Sequence, residues 1–187
     1  MPRLHIFLDS PASNELTKTE LDIGIVTRPY VAIAHCIRAG FCISHALRDW
    51  VRITIGFTQL EPYSLTLDPT TIRYLGTDER SILHIILRAQ EAYRRSKVKM
   101  PYGVTIHEEP FQGLLKTSLN QEGLLLIPDQ TSSWRAKISE FSKFAMYCPL
   151  SKVWDPIEHL PSEIAFYHDF LARDIAILEL VHALDQL

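Results

Sequence analysis

An α/β domain built on a largely parallel sheet is the fold this chain of 187 residues predicts. Two observations predict it. Short apolar, β-branched runs alternate with stretches of helical periodicity. Several of those runs, such as VRITIGF and LLLI, are apolar without a polar face, as in strands covered on both sides. No repeat or low-complexity segment breaks the alternation, so residues 1–187 are read as one domain.

Leu4 to Leu8 reads as a first strand, and Asp9 to Thr27 as polar, irregular chain punctuated by Pro11 and Gly24. Tyr30 to Asp49 reads as a helix, with Ile33, Ile37, Phe41 and Leu47 on one face and Arg38, Cys42, His45 and Asp49 on another. Val51 to Phe57 is a buried strand by its β-branched content. Glu61 to Pro69 is a loop, Ile72 to Tyr74 a short strand, and Asp78 to about Ser96 a helix with Ile82, Ile85, Ile86 and Ala89 inward. Lys97 to Pro110 connects to a helix at Phe111 to Leu119. Leu124 to Ile127 is a strand that stops at Pro128, and Trp134 to Phe141 a short helix. Phe144 to Cys148 is a strand stopped by Pro149, and Ile164 to Phe166 a last strand. Asp169 to Leu187 closes the chain as an amphipathic helix. Ligands of such sheets bind beyond the carboxyl ends of strands, which here means Pro128 to Ser133 and Pro149 to Pro156.

Composition narrows the function. Hydrophobic residues make up 47%, charged residues 22%, and the net charge is −3. A nucleic-acid partner therefore has to be held by a local basic face. No apolar run approaches the ~18 residues of a membrane span, and MPRLHIFLDS is too short in its apolar part for a signal-peptide core. Three cysteines, Cys36, Cys42 and Cys148, lack CxxC spacing, so a reducing cytoplasm is expected, without disulfides or a cysteine metal site. GxGxxG, P-loop, HExxH and GxSxG motifs are absent, and seven glycines make a phosphate-cradling loop unexpected. The eight histidines form no helical pair with carboxylates, so no metal is expected.

Three polar clusters are left to carry chemistry. Thr77, Asp78, Glu79 and Arg80 open a helix: Thr77 as its cap and two acids at the positive end of the dipole is the plainer reading. The other is that Asp78 accepts hydrogen bonds from a nucleobase edge. Ser44, His45, Arg48 and Arg52 lie where a helix runs into a strand, and read either as helix termination or as a corner that holds phosphate or base. Arg88, Arg94, Arg95, Lys97 and Lys99 read as a solvated helix end or as the local phosphate-binding face.

Two stretches, RPYVAIAHCIRAGFCISHALRDWVRITIGF and IRYLGTDERSILHIILRA, carry a resemblance. Their SH-x-x-R at the end of the first helix and DER at the start of the next resemble the archaeal tRNA pseudouridine-54 N1-methyltransferase family, among the SPOUT methyltransferases. FLARDIAILELVHALD is similar to that family's closing helix. The resemblance implies a domain with a C-terminal trefoil knot that forms a homodimer. It implies S-adenosylmethionine as cofactor and RNA, specifically tRNA, as partner, with methyl transfer to N1 of pseudouridine. Asp78 would contact the pseudouridine, where a carboxylate would orient or remove the N1 proton. His45, Arg48, Arg80, Arg94 and Arg95 would place the RNA. Leu126, Ile127, Cys148, Ile164, Phe166, Tyr167, His168 and Asp174 would line the cofactor.

The cofactor side departs from the family pattern. CPLSK stands in place of a polar loop with Asp-His or Gly, and Ile164 to Asp169 in place of Leu-Gly-Pro. Asp174 stands where the family has a cysteine. A second expectation follows: a member of the fold that binds RNA without methylating it.

Overall fold

A computed structural model of the chain describes residues 3–57, 59–60, 63–95, 98–119, 123–129, 133–151, 164–168 and 172–187, with the side chains of residues 119, 128, 129, 166 and 168 excepted. Strand β1 (Arg3–Ser10) is followed by a short helix α1 (Lys18–Ile23) and by α2 (Arg28–Phe41). A small hairpin, β2 (Cys42–Ile43) and β3 (Ala46–Leu47), leads to β4 (Val51–Phe57) and β5 (Ser64–Leu67). Then come α3 (Glu79–Arg94), β6 (Val104–His107), α4 (Phe111–Leu119) and β7 (Leu124–Asp129). Helix α5 (Trp134–Lys137) runs into a 3-10 turn at Ile138–Glu140, and β8 (Lys143–Pro149), β9 (Ile164–His168) and α6 (Arg173–Leu184) complete the described chain.

Seven strands form one sheet in the order β6-β5-β4-β1-β8-β7-β9. Neighbours from β4 to β9 pair in parallel, whereas β5 and β6 add an antiparallel edge. The α/β class and the largely parallel sheet are as the alternation predicts. Because side chains alternate across a strand, Leu4, Ile6 and Leu8 of β1 enter the larger core with Ile53, Ile55, Phe144 and Met146. Helices α2, α3 and α6 cover that face with Ile33, Ile37, Ile82, Ile86, Ile177 and Leu180. Each such buried aliphatic side chain contributes about 1.5–3 kcal/mol. The other face is smaller: Phe7, Leu125, Ile127, Ala145 and Tyr147 pack under Phe111 and Leu115 of α4. Gly56 admits this contact, since a Cβ there would lie 2.4 Å from the Phe111 ring.

A hydrogen-bonded chain crosses the same face. The His107 Nε2 lies 3.0 Å from Thr66 Oγ1, which is 2.7 Å from Thr54 Oγ1. Thr54 Oγ1 is 2.8 Å from His5 Nε2, and His5 Nδ1 is 3.1 Å from Ser118 Oγ on α4. Burial, then the charges of Arg52 and His107, push the His5 imidazole down to about 3.

Several elements differ from expectation. The helix expected over Tyr30 to Asp49 ends at Phe41, because the backbone turns into the β2–β3 hairpin there. Asp9 to Thr27 is not wholly irregular: Thr17 and Glu20 form a reciprocal capping box that starts α1, and Gly24 ends it in the left-handed conformation. The loops expected at Glu61 to Pro69 and Lys97 to Pro110 contain β5 and β6, four residues each. Ile72 to Tyr74 is not a strand, and Tyr74 has φ +63°. Strand β7 runs past Pro128 to Asp129 because beyond Leu126 it pairs only with β9, so the missing proline N–H breaks no second ladder. The closing helix is described from Arg173; residues 169–171 lie outside the described residues, as does most of the path on which a trefoil knot would depend.

Candidate active site

The first corner is the start of α3. Asp78, not Thr77, caps the helix: Ser81 N–H donates to its carboxylate at 2.9 Å and Ser81 Oγ–H at 2.6 Å. Those two bonds, side chain first, hold the Asp78 carboxyl below its usual value. Gly76 lies against the same group, and a Cβ there would be 2.7 Å from Ser81 Oγ. The result is an exposed, ionised carboxylate with further lone pairs toward solvent. It can accept an N–H, and its lowered pKa makes it a weaker base than an ordinary aspartate. Orienting a proton therefore suits it better than removing one. Arg80 is exposed and donates to Asp22 of α1 at 3.3 Å, and His35 of α2 lies 3.7 Å from Glu79.

The second corner is divided. His45 is exposed at the hairpin turn between β2 and β3. Arg48 is 6% exposed. Its Nε and Nη2 donate to Asp185 at 3.2 and 2.9 Å, while Nη1 donates to the carbonyls of Ala39, Gly40 and Cys42. Those carbonyls belong to the last turn of α2 and its exit, which lack intrahelical partners. Arg48 thus ties α2 to the end of α6, and its guanidinium is engaged by acceptors of the protein itself. Arg48 was expected to contact substrate; the structure gives it a clamping role between α2 and α6. Arg52, next on the opposite sheet face, pairs with Asp68 at 3.1 Å.

Two arginines of the basic group, Arg94 and Arg95, are at neither corner. Arg94 and Arg95 end α3, roughly 24 Å from Asp78 for a helix of this length. Arg94 pairs with Glu15, in the chain that leaves the C-terminal end of β1, and Arg95 is exposed. The Arg94 end of α3 is thus the end nearer the carboxyl ends of the parallel strands, with Asp78 at the far end. Lys97 lies outside the described residues.

The expected cofactor corner lies at the carboxyl ends of β7, β8 and β9, which run side by side in parallel. Leu126, Cys148 and Tyr167 face the larger core there, whereas Ile127 faces the opposite side, so Leu126 and Ile127 do not share one pocket. Ile164 sits at the start of β9, away from the loop end, and packs on the smaller core. Tyr167 donates its hydroxyl to the Tyr147 carbonyl at 2.9 Å, with Cys148 Sγ 3.8 Å away. Burial pushes the Cys148 thiol up to about 12, so it is a packed thiol and not a nucleophile. Arg173 Nε donates to the Pro149 carbonyl at 2.9 Å and fastens the start of α6 to the end of β8. Asp174 is half-buried in the first turn of α6. The side chains of Phe166 and His168, and residues 130–132, 152–163 and 169–171, lie outside the described residues.

Between Leu126, Trp134, Met146, Tyr167 and Ala176 the described residues leave a cavity of only about 10 Å³, room for one water. A wide apolar groove of about 620 Å³ lies outside it along α5 and α6, between Trp134, Ile138, Ile175, Leu178 and His182. Among the described residues no cluster of three or more metal-ligating side chains occurs, and no helix is long and apolar enough to cross a membrane.

No protein-family model matches the chain. A curated relative, the tRNA (pseudouridine(54)-N(1))-methyltransferase of Haloarcula marismortui, is 30% identical over 111 residues, which are 57% of this chain and 54% of that protein. The match spans about half the length of that relative. Among solved structures, Nep1 of Archaeoglobus fulgidus bound to S-adenosylhomocysteine is similar with a TM-score of 0.59 and 7% identity. That likeness covers 100% of this chain and 98% of the Nep1 chain, and it shows the fold: a mostly parallel α/β sheet arranged as in Nep1.

Proposed function

We propose that this protein is an S-adenosylmethionine-dependent RNA methyltransferase whose substrate is a pseudouridine in tRNA. One observation carries the reading: the sequence relative and the whole-chain fold match are independent likenesses, and both are to proteins of methyl-transfer chemistry by name or ligand. The exposed, ionised Asp78 accepts the N1–H of the base and fixes its orientation. Arg80 and His45 are exposed and able to meet backbone phosphates. S-adenosylmethionine would supply the methyl group from the loops that follow β7, β8 and β9, near Asp174. Asp78 lies at the end of α3 away from the carboxyl ends of the parallel strands, so this reading needs the homodimer that the resemblance implies. The trefoil knot belongs to the same reading.

The described part of the corner at Tyr167 favours a second reading, an RNA-binding module that has lost methyl transfer. The carbonyls of Tyr147 and Pro149 there accept hydrogen bonds from Tyr167 and Arg173 of the protein itself.

Calorimetric titration of the purified protein with S-adenosylmethionine separates the two. Micromolar binding that weakens in Asp174→Lys supports the enzyme. No binding at millimolar cofactor removes it and leaves the RNA-binding module. Sedimentation of the same sample checks the dimer, and a monomer at all concentrations removes that part of the reading.

A further inference from the structure

We infer that Tyr74 is a stacking platform for an unpaired nucleobase, with Arg73 and Lys99 gripping the phosphates beside it. This rests on the reading that the partner is RNA, and it specifies that the RNA is single-stranded where it meets the Asp78 corner.

Tyr74 is 90% exposed, the most exposed of the large hydrophobic side chains described. It is also the one non-glycine residue with a positive φ, +63°, among the described residues. An aromatic residue in that conformation is uncommon and needs its surroundings to impose it. Both flanks do so. On one side the Ile72 N–H donates to the Asp68 carbonyl at 2.9 Å, and the Asp68 N–H donates to the Gly103 carbonyl at 2.8 Å. Gly103 then lies so close to Ile72 that a Cβ would sit 2.3 Å from its backbone nitrogen. On the other side Gly76 is pressed onto Ser81 and Asp78. The crest is anchored on both sides, and among the described residues it leaves the ring 90% exposed.

Tyr102, half-exposed and next to Gly103, gathers two cations beside this crest. The Arg73 guanidinium lies 4.8 Å from the Tyr102 ring centroid and the Lys99 ammonium 4.9 Å. Lys99 Nζ also donates to the Tyr102 hydroxyl at 3.2 Å. Cations already ordered on an aromatic ring lose less freedom when they take a phosphate. Two acids of the flanking chain are engaged elsewhere, Asp68 by Arg52 and Thr70 and Asp78 by Ser81. An exposed ring flanked by two held cations matches what single-stranded nucleic acid recognises: any base has a face to stack, and every linkage carries a charge. In a chain of net charge −3 this is a local basic and aromatic face. A duplex hides its base faces and offers only the charge.

Fluorescence anisotropy with a labelled RNA hairpin carrying an unpaired loop, and with a fully paired RNA duplex of equal length, tests this. Tyr74→Ala should weaken hairpin binding about tenfold, and Tyr74→Phe should stay within about twofold of the wild type. Neither should change duplex binding. Arg73→Gln combined with Lys99→Gln should lower the salt slope of hairpin binding by about 1 to 2. All three substituted side chains are exposed, and melting curves check that the variants stay folded. Unchanged hairpin affinity in Tyr74→Ala, or an equal loss on the duplex, overturns the platform and leaves the RNA reading standing. No wild-type binding to either RNA overturns that reading and the platform with it.

Discussion

Arg48 and Arg80 look alike in sequence, each in a polar cluster where a helix meets other chain, yet they have opposite surroundings. Arg48 is buried, with its donors engaged by Asp185 and by three backbone carbonyls at the end of α2. Arg80 is 61% exposed and has one described partner, the partly exposed Asp22. The contrast separates two uses of the same side chain. Arg48 satisfies orphan carbonyls and holds α6 against α2, a structural clamp. Arg80 keeps its charge in water beside an ionised carboxylate, where a polyanion can reach it.

The largest expected effect comes from breaking the clamp. Arg48→Ala should cost about 3 kcal/mol in urea unfolding, because it strips the carbonyls of α2 and leaves Asp185 unpaired. Arg48→Lys should recover little of that, since a single ammonium cannot meet Asp185 and three carbonyls at once. A loss no larger than that of an ordinary surface substitution would put Arg48 back among the candidate RNA contacts.

Acid probes what lies between the corners. His5 is neutral in the fold, its value lowered from 6.5 to about 3 by burial, Arg52 and His107. The unfolded chain takes up that proton first, so stability is full above 6.5 and falls as pH drops toward about 3. Asp78 has a lowered value as well, so its contribution is present above 3.8 and lost below, as its carboxylate is protonated. Thermal melts across this range should show the His5 loss first, and His5→Gln should flatten it.

The cap and the chemistry at Asp78 come apart with two substitutions. Asp78→Ala should lose about 1 kcal/mol as a helix cap, whereas Asp78→Ser should lose only a few tenths. If Asp78 orients a base, both should lose RNA methylation alike, measured as transfer of labelled methyl to tRNA. Activity that follows stability, high in Ser and low in Ala, would make Asp78 a cap and nothing more. The smallest stability effect belongs to Arg80→Ala, within about 0.5 kcal/mol of the parent. Its readout is instead RNA affinity, whose salt slope should fall by about 1.

Legibility followed the range of the forces involved. Strands β4, β7 and β8 were readable because a strand covered on both faces must be apolar throughout. The antiparallel strands β5 and β6 were not: each has only four residues and includes polar positions, so each resembles loop. Helix α1 was readable in principle from its T-x-x-E capping box, a signal passed over because the segment is short and polar. The α3 cap fell one residue from the expected Thr77, a choice that only backbone geometry makes. The pairing of Leu126 with Ile127 failed because alternation sends consecutive side chains to opposite faces. Tyr74 and Tyr102, twenty-eight positions apart, gave no sign of a shared surface until Gly103 was seen against Ile72.

Residue types and their spacing were enough to decide the α/β class, the inward faces of α2 and α3, and Asp78 at a helix start, because these depend on neighbours a few positions away. Folding decided which charges stay in water. Arg48 meets Asp185 across 137 positions, and Arg94 meets Glu15 at the far end of a helix from Asp78. Burial of a charge depends on partners that the chain supplies from a distance, and no local pattern records them.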